Sequence, residues 1–231
     1  QLCTGLQAVG VTRDGGFAEF CVVPEAQALP VPDGVSLPEA AMAEPVACCL
    51  HGIDVADMRA GQTVAVLGGG SIGLILAQLA RAQGAAEVVV SEPAAPRREI
   101  AAELGLEAVA PEELADRLPG GADVVIEAVG STVTAAQALE IARRGATVLF
   151  FGVAPMGQKI EMEPFQVYQK ELTIKGSALN PFTQRRALAL LKGGQVRVAP
   201  LITHKIGLAD LATTLATSAP PEMVKAMVIL E

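Results

Sequence analysis

The sequence predicts an α/β fold built on a doubly wound parallel sheet, and three observations carry that prediction. Short apolar runs alternate with segments of helical spacing from Gly61 to Ser177. The runs are apolar on both faces, as strands covered by helices above and below must be. A glycine cluster, Gly68-Gly69-Gly70-Ser71-Ile72-Gly73, stands where the first run meets the first helix.

Taken in order, Val64–Leu67 reads as a strand and Ser71–Gln83 as a helix with its apolar residues on one face. Glu87–Ser91 is the second strand and Pro96–Leu104 the next helix. Leu106–Ala110 is a weaker strand, followed by a short helix over Pro111–Arg117 that opens on proline. Asp123–Ala128, Thr147–Gly152 and Leu172–Ser177 complete six strands, with helices at Thr132–Ala142 and Pro181–Leu191. The ends break this rhythm. Residues 11–32 alternate and turn like short antiparallel strands. Residues 196–231 suggest a strand, a helix near Leu208–Thr217 and a terminal strand at Met223–Leu230. The two ends are expected to meet in a second, β-rich domain. That divides the chain into residues 1–40, a dinucleotide-binding domain over 41–194, and a return segment over 195–231.

Of the 231 residues, 51% are apolar and 18% charged, which suits a soluble protein with a sizeable core. No apolar run approaches the roughly eighteen residues that span a bilayer, so no membrane partner is expected. A net charge of −8 without Lys/Arg stripes argues against nucleic acid. An anionic cofactor is still compatible, because backbone N–H groups at a helix start bind anions locally. Cys3, Cys21, Cys48 and Cys49 include no Cys-x-x-Cys pair and read as free thiols in the cytoplasm. The opening Gln-Leu-Cys-Thr-Gly is not a signal peptide and lacks Met, so the chain is expected to begin inside a longer gene product.

The glycine cluster fits G-x-G-x-x-G, a weak pattern by itself, in the strand–turn–helix context that gives it meaning. Gly68 would allow the tight turn, Gly70 would let backbone approach a pyrophosphate, and Gly73 would let helix and strand pack closely. With Ser71 they present the helix N-terminus to the diphosphate. Glu92 closes the second strand 19 residues after Gly73, about the spacing of a ribose-binding acid. The plainer alternative is an ordinary turn beside an exposed Glu. A carboxylate there accepts ribose hydroxyls and repels a 2′-phosphate, which favours NAD over NADP. Arg97 and Arg98 lie close enough to pair with such a phosphate, or else simply sit solvated at a helix start.

At this point the sequence resembles the zinc-containing medium-chain dehydrogenases, most closely the polyol branch around sorbitol dehydrogenase. The carriers are Asp14-Gly15-Gly16-Phe17-Ala18-Glu19-Phe20, Pro32-Asp33-Gly34-Val35-Ser36, Glu44-Pro45-Val46, the glycine loop, Phe151-Gly152-Val153, Lys175-Gly176-Ser177 and Pro200-Leu201-Ile202-Thr203-His204. The resemblance runs through nearly the whole chain. It implies a Rossmann domain flanked by remnants of a β-rich, GroES-like catalytic domain. It implies cofactor contacts from Ile72, Glu92, Arg97, Phe151, Gly152, Val153, Ser177 and Ala178, to which Val129 and Gly130 are added as candidates. Leu179 departs from the branch, where sorbitol dehydrogenases tend to carry Arg.

The resemblance also implies NAD-dependent oxidation of a small alcohol or polyol, with zinc as a Lewis acid that lowers the pKa of the bound hydroxyl. The branch draws its zinc ligands from a Cys, a His-Glu pair and the Glu of Glu-Pro. Only Glu44 matches, and Cys3 matches one member of the family's four-Cys structural lobe. Zinc wants about four ligands, so it is expected in the full-length protein and not retained by this chain, to which no catalytic residue is assigned. Glu44 serves equally as a favourable charge at a helix start before Pro45. His51, seven residues on and on the same helical face, either approaches the nicotinamide or packs as an ordinary histidine. His204 reads as structural, and Cys48 and Cys49 as buried helix residues. Strand Leu172–Ser177 matches the one that pairs with its symmetry mate in the family, implying a homodimer or homotetramer. Two rivals stand beside this reading. One is a zinc-free quinone or enoyl reductase of the same superfamily, against which Cys3 and Glu44 count. The other is a non-catalytic dinucleotide-binding module.

Overall fold

The computed structural model describes residues 5–230. Six parallel strands form the main sheet: β1 (Thr63–Leu67), β2 (Glu87–Ser91), β3 (Glu107–Val109), β4 (Ala122–Glu127), β5 (Ala142–Phe150) and β6 (Thr173–Gly176). Their order is β3-β2-β1-β4-β5-β6, the doubly wound order expected. The direction of winding reverses between β1 and β4, which opens a crevice at their carboxyl ends.

The helices are α1 (Leu37–Ala41), α2 (Ala43–Ala56), α3 (Ser71–Ala82), α4 (Ala95–Glu103), α5 (Leu114–Arg117), α6 (Thr132–Ile141), α7 (Pro164–Lys170), α8 (Gln184–Lys192) and α9 (Leu211–Ala216). One face of the sheet packs Val64, Val66 and Leu149 against Val46, Leu50, Leu74 and Leu76 of α2 and α3. The other face packs Ala65, Val125 and Val148 against Leu114, Leu118 and Leu139. Burial on both faces explains why the strands read as unbroken apolar runs. Local chemistry sets the helix ends. Ser36 and Glu39 form a reciprocal capping box at α1, and Ser131 Oγ accepts the Thr134 N–H at 3.1 Å to start α6. Lys170 Nζ donates to the carbonyls of Leu139, Glu140 and Ala142, closing α6 where it turns into β5.

Two expectations are corrected. Residues 11–32 form no strand; Val9 and Arg13 share one isolated bridge, and Glu25–Gln27 is a turn of 3₁₀ helix. Phe20 and Val22 are 89% and 84% exposed, because alternation makes a strand only beside a neighbour that pairs with it, and no described segment does. The helix expected from Pro181 begins at Gln184, since Leu179 and Phe182 take left-handed backbone angles in the turn before it. The ends do approach each other. β7 (Ile202–Ile206) and β8 (Lys225–Val228) pair in parallel, and Arg13, Asp14, Phe17, Pro45 and Met227 line a cavity of about 650 Å³ between the N-terminal segment and β8.

Candidate dinucleotide site

The glycine loop joins β1 to α3 at the crevice. Gly68 has φ +105°, a conformation that L side chains rarely adopt, and donates its N–H to the Ser91 carbonyl at 2.8 Å. A Cβ on Gly73 would collide with the Gly68 carbonyl, so the helix can lie this close to the strand only with glycine there. Gly70 differs: a Cβ on it would meet nothing within 4 Å. It is the N-cap of α3, has no side-chain cap, and the first turn holds no acid. The first turn of a twelve-residue helix is therefore left without a side-chain cap, which is the provision an anion needs.

Glu92 is 4% exposed, not the solvated glutamate of the plainer alternative. Its Oε2 accepts the Gly69 N–H at 2.8 Å and its Oε1 the Ala94 N–H at 2.9 Å. The acid thus braces the loop from the end of β2. Arg97 lies 4.0 Å from Glu92 Oε2 and donates to the carbonyls of Pro221 (3.0 Å) and Met223 (3.2 Å). Arg98 donates to the carbonyls of Glu92 and Pro93, both at 2.8 Å. Neither guanidinium is loose at a helix start.

Glu127 is a residue that the sequence reading missed. It ends β4, is 1% exposed, and its Oε1 accepts from Val129 N (2.9 Å), Gly130 N (2.9 Å) and Thr134 Oγ1 (2.7 Å). Its backbone carbonyl accepts from Phe151 N (3.0 Å) and Gly152 N (2.8 Å). Two loops of candidate contacts thus radiate from one residue. Ser91 and Glu127 both pair with Leu67, so of the two strands flanking β1 one ends on Glu127 and the other one residue short of Glu92. Ile72 and Phe151 are half-buried, whereas Val153 is 90% exposed and Ala178 is exposed. The Ser177 hydroxyl, just past the carboxyl end of β6, is buried without a hydrogen-bond partner. The residues present fit a dinucleotide.

They do not fit a zinc ion. Glu44 is exposed on the first turn of α2, and its Oε1 accepts from Cys48 Sγ and from Asn180 Nδ2, both at 3.1 Å. Burial and the neighbouring Glu44 push the Cys48 thiol up to about 12, and burial likewise raises the Cys49 thiol well above its ordinary range. Among the described residues no three His, Cys, Asp or Glu side chains gather as a metal shell. Cys3 lies outside the described residues. His51 is half-buried on α2, and His204 Nδ1 lies 2.9 Å from Thr203 Oγ1. No described helix is long and apolar enough to cross a membrane.

Residues 71–192 match the family model for zinc-binding dehydrogenases, and the chain belongs to that family. It is 31% identical over 216 residues to D-arabinitol dehydrogenase 1 of Uromyces fabae, covering 87% of this chain and 61% of that protein. It is 34% identical over 215 residues to D-altritol 5-dehydrogenase of Agrobacterium fabrum, covering 91% and 64%. A zinc-binding dehydrogenase of Sinorhizobium meliloti solved with NADP superposes with a TM-score of 0.95 at 41% identity, covering 99% of this chain and 70% of that one. The chain therefore spans about three fifths of these two named dehydrogenases.

Proposed function

We propose that this chain is the cofactor-binding part of an NAD-dependent dehydrogenase that oxidises an alcohol or polyol to the ketone or aldehyde. The observation that carries the reading is Glu92, buried at the end of β2 with its carboxylate on the Gly69 N–H. That acid beside a helix N-terminus recognises a ribose next to a diphosphate. Residues 41–194 are the dinucleotide domain, and 1–40 and 195–231 belong to a catalytic domain that builds most of the substrate pocket. The diphosphate rests on Gly68, Gly70, Ser71, Ile72 and Gly73, with Arg97 beside Glu92. The nicotinamide half lies along Val129, Gly130, Phe151, Gly152, Val153, Ser177 and Ala178. NAD, when bound, accepts the hydride. Substrates of the polyol class are supported by the relatives' activities on arabinitol and altritol.

NAD is preferred to NADP because the Glu92 carboxylate repels a 2′-phosphate while Arg97 and Arg98 are engaged by backbone carbonyls. The Sinorhizobium protein was solved with NADP, so a direct comparison decides the matter. Glu44 alone does not hold zinc; in the full-length enzyme further ligands would complete its shell. The exposed edge of β6 supports a homodimer or homotetramer, and the free thiols of Cys21, Cys48 and Cys49 support a cytoplasmic setting. The test is calorimetric titration with NAD(H) and NADP(H) on this chain and on Glu92→Ala. Tighter NAD(H) binding, with the difference narrowed by the substitution, is expected. Equal or tighter NADP(H) binding overturns the cofactor choice, and binding of neither overturns the whole reading.

A further inference from the structure

Glu127 has no counterpart among the residues assigned so far, yet it is more deeply buried than Glu92. A doubly wound sheet binds a dinucleotide as two mononucleotide halves, one on each side of the switch point between β1 and β4. Glu92 serves the β1–β2 side. On the other side Glu127 holds the Val129–Gly130 turn through its side chain and the Phe151–Gly152 turn through its backbone. Glu127 Oε1 gathers two backbone N–H donors and one hydroxyl. A Cβ on Gly152 would lie 2.6 Å from Glu127 Oε2, so the second turn passes directly over the acid. Among the described residues no ion pair includes Glu127, in contrast to Glu92, which has Arg97 at 4.0 Å.

We propose that Glu127 is a positioning residue for the nicotinamide half and that its buried negative charge favours the oxidised cofactor over the reduced one. The inference rests on the dinucleotide reading above. The two forms differ in ring charge: oxidised nicotinamide is cationic and reduced nicotinamide is neutral. Shape and hydrogen bonding in the turns act on both alike. An unneutralised anion in a partly dry site acts on the cation alone, and solvent screens it less than at the surface.

The experiment measures dissociation constants for NAD⁺ and NADH separately, by calorimetry and by fluorescence titration. The unaltered chain is compared with Glu127→Gln, which keeps the shape and removes the charge, and with Thr134→Val, which removes one donor and keeps the charge. Glu127→Gln is expected to weaken NAD⁺ relative to NADH by about three- to tenfold, the scale of a partly screened unit charge. Thr134→Val is expected to leave the ratio where it was. If Glu127→Gln shows no cooperative melting, Thr134→Lys, which sets an ammonium against the same carboxylate, must move the ratio in the same direction. Equal weakening of both forms, or an unchanged ratio, overturns the charge assignment while the dinucleotide reading stands. Failure of the unaltered chain to bind either form overturns both.

Discussion

Gln78 and Arg197 exchange two hydrogen bonds across 119 residues of sequence. Gln78 Nε2 donates to the Arg197 carbonyl at 3.1 Å, and Gln78 Oε1 accepts the Arg197 N–H at 2.8 Å. The amide is 1% exposed on α3, the helix behind the glycine loop, and treats the irregular segment after α8 as if it were a strand partner. Gln78→Leu would leave both backbone groups of Arg197 unpaired. The expected cost is about 2 kcal/mol, read from the shift in urea midpoint. A midpoint that does not move would show that the segment is held by Val196 and Val198 alone.

The glycine loop makes opposite predictions at two positions. Gly73→Ala puts a methyl against the Gly68 carbonyl and is expected to destabilise the fold by about 1–3 kcal/mol. Gly70→Ala, with φ −71° and no neighbour for the new methyl, is expected to leave the melting temperature unchanged and to weaken dinucleotide binding. Equal stability losses at the two sites would contradict the geometry.

Phe182 has φ +58° with 87% of its surface exposed, so it has backbone strain and little packing to offset it. Phe182→Gly is expected to raise stability by about 0.5–1 kcal/mol, since the left-handed region costs a non-glycine residue about 1–2 kcal/mol and glycine gives part of that back in chain entropy. Thr183 Oγ1, bonded to the Ala47 carbonyl at 2.7 Å, should hold the turn in place. A drop in denaturation midpoint would mean that the Phe182 ring does more than its exposure indicates.

Glu107 is held below the ordinary carboxylate range by Arg117, whose Nε and Nη2 reach it at 2.5 and 2.8 Å. A depressed folded value gives stability that is present above the unfolded value and lost as pH falls through the folded one. Arg117→Leu should therefore melt lower than the unaltered chain at neutral pH. The gap should close as pH falls below about 4. Parallel melting curves down to low pH would rule out this linkage.

Zinc content gives a direct count of ligands. Elemental analysis of the purified 231-residue chain is expected to find no stoichiometric zinc, and a panel of polyols no NAD reduction. Losing a Lewis acid removes several kcal/mol of charge stabilisation and hence orders of magnitude in rate. Stoichiometric metal together with turnover would refute the expectation.

The parts legible in the sequence were those set by local pattern. Glu87–Ser91 was read to both ends and the start of α3 at Ser71 to the residue, because apolar runs and the glycine turn decide them nearby. Residues 11–32 misled because alternation describes two faces of a strand and says nothing of whether a neighbour pairs with it. β5 was expected from Thr147 and begins at Ala142, its first residues paired through a register shift that no spacing announces. Glu127 went unread because nothing in one strand reveals which residue lies beside Leu67 of another; only the register does.

Both turns at the crevice are locked before any ligand arrives, one by Glu92 and the other by Glu127. The entropy of fixing those backbones is therefore met during folding and does not weaken association. A nucleotide landing here selects a shape that already exists rather than inducing one, so specificity at this floor comes from rejection: a group that does not match finds carboxylates that cannot swing aside.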